Sequence, residues 1–273
     1  MRLRSGFGLL ALVAAGLTVA FLVLPVVAIF AHTSPARLLD ALGEAAAREA
    51  LWLSLRTTLI AVAVIVIVGT PAAYLLAMRR FRGRALVLTA IELPLVMPPA
   101  VAGIALLAAL GPHGILGGTV EGAGIELVFQ TAGVVVALVF VSAPFFLRQA
   151  IAAFAALDPR LLEAARTLGA GPFRVFATVA VPSARPALAA GLALAWGRAL
   201  GEFGATLLFA GSLRGVTQTA PLAIFSEFSR PGGFVAALAL SSVLIVVAAA
   251  ILVGVKLLGG DRAIEAPAVG EGR

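Results

Sequence analysis

The sequence has no cysteine, one lysine (Lys256), two histidines (His32 and His113) and few charges, 12% of its 273 residues. Each shortage excludes something. Without cysteine there is no disulfide framework, no thiol nucleophile and no Cys-based metal site. His32 and His113 stand alone at the outer ends of apolar stretches and read as loop or interface residues, so no metal site is expected. Lys256 is followed by Leu257. The Gly-Lys-Ser/Thr signature that holds nucleotide phosphates and Mg²⁺ therefore cannot form, and the chain does not hydrolyse ATP through a P-loop. Scarce charge together with abundant apolar residues also excludes a disordered chain or a coiled coil.

What is present is apolar surface in excess. Hydrophobic residues make up 62% of the chain even without glycine, and the mean hydropathy is +1.11. A 27.6 kDa globule has too little interior to hide that much. The excess must face lipid, which predicts an all-α, polytopic membrane bundle. Six stretches supply the spans: Ser5–Ala31, Thr57–Met78, Leu93–Pro112, Leu127–Leu147, Pro186–Leu213 and Pro231–Val255. Only the fifth holds charge, at Arg198 and Glu202. The first follows a charged start, Met1-Arg2-Leu3-Arg4, like a signal peptide. Its apolar run is far longer than a secretory core and no A-x-A site precedes His32, so it reads as an uncleaved helix.

With the N-terminus inside, 14 of the 20 Lys and Arg residues fall on the cytoplasmic side, five on the outer side, and Arg198 within a span. That bias places both termini in the cytoplasm. It also accounts for the net charge of +7 without nucleic acid. Three parts are expected: an N-terminal transmembrane helix over 1–32, a core over 33–258, and a disordered cytoplasmic tail over 259–273. In the outer loops, Ser34–Arg56 reads as an amphipathic helix leading into the second span, with Ser34 and Pro35 at its start. Gly111–Gln130 reads as an irregular, Gly-rich loop.

The inner segment from Arg148 to Arg185 is long for a connection in a helical bundle. Asp158 suits an N-cap, Pro159 the first helical position and Gly169 the residue past the helix end. Leu161, Leu162, Ala165 and Leu168 fall at helical spacing on one face. Gly171-Pro172 restarts the chain into a second short helix over Phe173–Val179, ended by Pro182. A membrane-surface helix wants a strongly basic polar face. This one mixes Arg160, Glu163 and Arg166, which fits a protein partner better. A plain connector packed on the bundle is the other reading.

Arg198 and Glu202 lie four apart on one helical face, and charges inside a span cost roughly 2.5–3.5 kcal/mol each at its centre. They form either an ion pair that offsets its own cost, or a pair in which Glu202 sets a closed gate. Gly197, Gly201 and Gly204 form a small-residue stripe, for packing within the subunit or for lining a pathway. Pro94, Pro98 and Pro99 break or kink the third span, for packing or to free backbone groups for an ion. Thr206 is the candidate pathway hydroxyl.

The run Glu163-Ala164-Ala165, Gly169, Val179, Val181, Pro182 matches, position by position, the pattern Glu-Ala-Ala, three residues, Gly, nine residues, aliphatic, one residue, aliphatic, Pro. It resembles the EAA motif of ABC transporter permeases. Pro94-Leu95-Val96-Met97-Pro98-Pro99, Arg198–Thr206 and Thr217–Ile224 resemble the molybdate/tungstate branch, and the likeness covers most of Ser54–Val255. The sulfate/thiosulfate permeases share much of the Gly-Glu-Phe-Gly region and stay open as the rival. The resemblance implies a bacterial inner-membrane permease that forms a homodimer and carries no cofactor of its own. Glu163, Ala164, Ala165, Gly169 and Pro182 would couple it to two cytoplasmic ATPase subunits, and a periplasmic binding protein would deliver the oxyanion. A secondary transporter or channel would rely on buried ionisable groups, of which only Arg198 and Glu202 qualify. An intramembrane enzyme would need a nucleophile with a base, or metal ligands, and no span holds His or Cys.

Overall fold

The computed structural model describes residues 6–34, 36, 40 and 42–259. The flank Met1–Arg4, Pro35 and the tail from 260 onward, with the expectations placed on them, lie outside the described residues. All regular structure among the described residues is helical. The helices are α1 (Gly6–Ala31), α2 (Ala45–Met78), α3 (Arg84–Val96), α4 (Pro99–Leu110), α5 (Gly117–Gly122), α6 (Thr131–Ala155), α7 (Pro159–Thr167), α8 (Pro172–Leu200), α9 (Gly204–Ala210), α10 (Ala220–Phe228) and α11 (Phe234–Gly259).

Five of them are long and apolar enough to cross a membrane: α1, α2, α6, α8 and α11. The third apolar stretch is instead a broken pair, α3 and α4. The cause is local. A residue before proline is driven out of the α region. Met97 precedes Pro98, and Pro98 precedes Pro99. Both take extended ψ values, 130° and 138°, and Pro99 then starts α4 at a position where its missing N–H costs nothing.

From Ala45 onward the segment before the second span is helical and runs into it, as the first part of α2, 34 residues long, about 51 Å. Two expectations are corrected. Gly111–Gln130 is not wholly irregular, because α5 forms within it. Pro182 does not end a short helix. From Pro172 the chain runs as one helix of 29 residues to Leu200, continuous with the fifth span. Proline removes a donor and its ring crowds the carbonyl four residues back. The helix absorbs this by widening into a π turn over Phe176–Ala180, where the Val181 N–H donates to the Phe176 carbonyl.

The protein core lies between α2, α6 and α8. At one end of it Tyr74, Phe154 and Phe176 form an aromatic cluster, with ring centroids 5.3 Å apart for Tyr74–Phe154 and 5.1 Å for Tyr74–Phe176. Leu162 of α7 and Val175 of α8 bury into the same cluster. Nearer the opposite end, Trp196 Nε1 donates to Thr58 Oγ1 at 3.1 Å, and the Ala220 N–H donates to Ser54 Oγ at 2.7 Å. α1 stands apart. Its large apolar side chains, such as Leu9, Leu17 and Phe21, are exposed, and the turn after it meets α11 where Ser242 Oγ donates to Thr33 Oγ1 at 3.4 Å.

Candidate coupling site and translocation path

Two places collect the residues singled out in the sequence. The first is α7 and its flanks. Asp158 Oδ1 accepts from the Arg160 N–H at 2.9 Å, which caps the first turn as the sequence suggests. At the other end Gly169 has φ +84°, a left-handed conformation that favours glycine. The Ala170 N–H donates to the Ala165 carbonyl (3.0 Å) and the Gly169 N–H to the Arg166 carbonyl (2.9 Å). This reciprocal pair is the Schellman closure, and it reverses the chain within three residues.

The apolar face of α7 divides in a way that spacing did not foretell. Leu162 is buried and Ala165 half-buried, against the aromatic cluster. Leu161 and Leu168 are exposed, Leu168 by 88%. Glu163 and Ala164 are exposed beside them. The four apolar positions therefore do not share one covered face. One leucine anchors the helix, and the others stand outward with the Glu-Ala pair. Phe173, at the start of α8, is also 78% exposed. Pro182 lies farther along α8, exposed and apart from α7.

The second place joins the two breaks. α8 stops at Leu200, residues 201–203 are non-helical, and α9 begins at Gly204. Glu202, 1% exposed, bridges the gap. Its Oε1 accepts from the Ala205 N–H at 2.7 Å, which satisfies a free donor of α9. Its Oε2 lies 2.6 Å from Arg198 Nη2 in the last turn of α8. One carboxylate thus fixes both helix ends. The Arg198 side chain is 27% exposed, so the pair is buried on the acidic side only.

α9 packs on α4. A Cβ on Gly204 would stand 2.8 Å from the Pro99 Cβ, and one on Gly103 would stand 2.9 Å from the Ala205 carbonyl oxygen. The two short helices that follow the two breaks are therefore in close contact. The small-residue stripe does not persist as drawn, because the helix ends between its members. Gly204 packs within the subunit. Gly197 and Gly201 are exposed, and a Cβ on either would meet no side chain among the described residues. Pro98 and Gly201 are exposed, whereas Thr206 is fully buried and its hydroxyl has no partner among the described residues. Thr219 Oγ1 is likewise buried without a partner. Gly103 was not singled out in the sequence, which carries no signal for it, because the Ala205 backbone it meets is distant along the chain.

Residues 65–255 match the family described as binding-protein-dependent transport system inner membrane component. The chain belongs to this family. It is a multi-pass inner-membrane protein, as its apolar helices require. The molybdenum transport system permease protein ModB of Mycobacterium tuberculosis is 41% identical over 239 residues, 87% of this chain and 89% of that protein. The sulfate transport system permease protein CysW of a Synechocystis strain is 36% identical over 210 residues, 76% of each. Among solved structures, a chain of a bacterial alginate ABC transporter in complex with an alginate-bound periplasmic protein superposes with a TM-score of 0.76. It is 16% identical, and the match covers 96% of this chain and 97% of that one. The expectation of a permease fold drawn from the Glu163–Pro182 pattern holds.

Proposed function

We propose that this chain is the permease subunit of an ABC importer that carries molybdate or tungstate inward. It is read as a homodimer served by two cytoplasmic ATPase subunits and a periplasmic binding protein. The likeness to the ModB permease over 87% of the chain supports the substrate class. In this reading the chain makes six passes, the third being the α3–α4 pair, with both termini in the cytoplasm. The core spans 33–258, and chemistry is left to the ATPase, so no cofactor is needed here.

The observation that carries the coupling role is the division of α7. Leu162 anchors it, while Leu161, Glu163, Ala164 and Leu168 present a small mixed surface outward. Ala164 allows close approach, Ala165 lies at the seam, Glu163 can pair with a basic group of the ATPase, and Gly169 fixes the reversal. Pro182, just past the π turn, lies inside the long helix that carries movement upward.

Pro98 and Gly201, exposed at the two breaks, are placed on the translocation path. Glu202 holds the gate by pinning both helix ends. Thr206 lies behind it, its free hydroxyl available to an oxyanion when α4 and α9 part. An acidic group is a poor anion ligand, which is why Glu202 is given the gate and not the substrate.

The second reading is a sulfate/thiosulfate permease, favoured by the likeness to the CysW permease. Both substrates are tetrahedral dianions. Uptake of labelled molybdate and labelled sulfate by cells lacking their own permeases, complemented with this chain and its partners, separates the two. Molybdate uptake resistant to excess sulfate supports the first reading, and sulfate-competed uptake the second.

A further inference from the structure

A groove of about 830 Å³ runs between α2 and α8, within the size range of small-ligand sites. Val66 and Ile67 of α2 and Leu188 and Leu192 of α8 form its apolar part above Arg185, Phe173 and Phe176 continue it below, and Arg185 is the only charged residue on its walls among the described residues. The Arg185 side chain is exposed and makes no ion pair or hydrogen bond among the described residues. Ile67 is 72% exposed and its neighbour Val68 64%, so this wall of α2 opens outward and not into the bundle.

The depth of Arg185 can be read from packing. A Cβ on Gly69 would touch Phe146 and Leu147, and one on Gly191 would touch Gln149. α2, α6 and α8 therefore meet at the level of Gly69, Leu147 and Gly191. Arg148, the first charge after the apolar run of α6, lies at that level. Arg185 sits six residues below Gly191, about 9 Å toward the inner end. The next charge along α8 is Arg198. Arg185 is thus the last cation before the apolar stretch. The part of the groove above it is apolar, and no partner anion lies beside it among the described residues.

We infer that this groove holds one anionic phospholipid of the inner leaflet, its phosphate on Arg185 and an acyl chain along Val66, Ile67, Leu188 and Leu192. A basic pocket between transmembrane helices on the cytoplasmic side suits such a headgroup, and an exposed apolar wall suits a chain. The inference rests on the permease reading only in placing Arg185 on the cytoplasmic side. Lipid retention needs neither ATPase nor binding protein, so its failure and the failure of that reading are separable.

The test is native mass spectrometry of the full-length chain in mild detergent, with phosphatidylglycerol or phosphatidylcholine added in turn. The expected result is one phosphatidylglycerol retained per chain, with about a five- to tenfold preference over phosphatidylcholine, as one near-surface cation supplies. Arg185→Gln removes the preference and Arg185→Lys keeps it. Ala189→Trp, which fills the groove and leaves the cation, lowers retention of both lipids. Equal retention of the two lipids by the unaltered chain would overturn the inference, as would a preference that survives in Arg185→Gln. Oxidative joining of Ile67→Cys copies in membranes would also overturn it, since a second copy would then cover the groove. The absence of native cysteine makes that readout clean.

Discussion

Gly204 and Pro99 stand so close that a Cβ on the glycine would lie 2.8 Å from the proline Cβ. Each residue starts the short helix after a break in its span. The break at Met97–Pro98 comes from consecutive prolines, and the break at 201–203 is bridged by a carboxylate. Their contact makes the two breaks one unit, so movement at either is transmitted to the other. That is the physical content of the gate proposed above.

The contact tolerates no added volume. Gly103→Ala is expected to destabilise by about 1–3 kcal/mol, because the new methyl meets the Ala205 carbonyl and backbone cannot swing aside. Gly204→Ala presses on a proline ring and is expected to cost a similar amount. Thermal melts in detergent measure both, and an unchanged melting temperature for Gly103→Ala would contradict the packing.

Glu202 joins Arg198 to the first turn of α9. Glu202→Gln retains an oxygen for the Ala205 N–H but loses the charge. It is expected to raise basal ATPase activity of the complex and to lower transport severalfold. Arg198→Gln strands a buried carboxylate and is expected to cost about 3 kcal/mol. Arg198→Gln combined with Glu202→Gln recovers part of that stability but not the coupling. Unchanged transport and unchanged basal ATPase in Glu202→Gln would remove the gate from the account.

Along α7 the prediction separates docking from folding. Leu168→Asp and Ala164→Arg alter exposed positions and should move stability by no more than about 0.5 kcal/mol. Both should abolish copurification of the ATPase. Leu162→Ala empties a core position and should cost about 2 kcal/mol or more. Leu168→Asp that still retains the ATPase would mean that α7 is a connector.

Gly169 holds φ +84°. A side chain there costs about 1–2 kcal/mol through Cβ crowding. Gly169→Ala is therefore expected to loosen the end of α7, raising hydrogen exchange at the Gly169 and Ala170 amides before any global loss.

Local chemistry was readable from the sequence. Asp158, Pro159 and Gly169 act within a few residues of themselves, and their roles stand as read. The break at Pro98 was readable for the same reason. The exposure of Leu161 and Leu168 was not readable, because periodicity defines a face but not what covers it. The cover, Tyr74 with Phe154 and Phe176, comes from three separate helices. Pro182 was misread as a stop because the π turn before it makes room for the ring. The second break carries no proline. Its signal is Gly201-Glu202, and only the fold shows that the carboxylate caps a new helix. Gly103 was silent because its partner lies about a hundred residues away.

The central claim is that α7 couples this permease to an ATPase for an oxyanion. The most direct measurement is ATPase stimulation in proteoliposomes containing the chain and its ATPase, with binding protein loaded with molybdate or with sulfate. The account predicts stimulation by the molybdate-loaded protein, lost in Leu168→Asp. Stimulation by the sulfate-loaded protein alone would contradict the substrate, and stimulation that persists in Leu168→Asp would contradict the coupling surface.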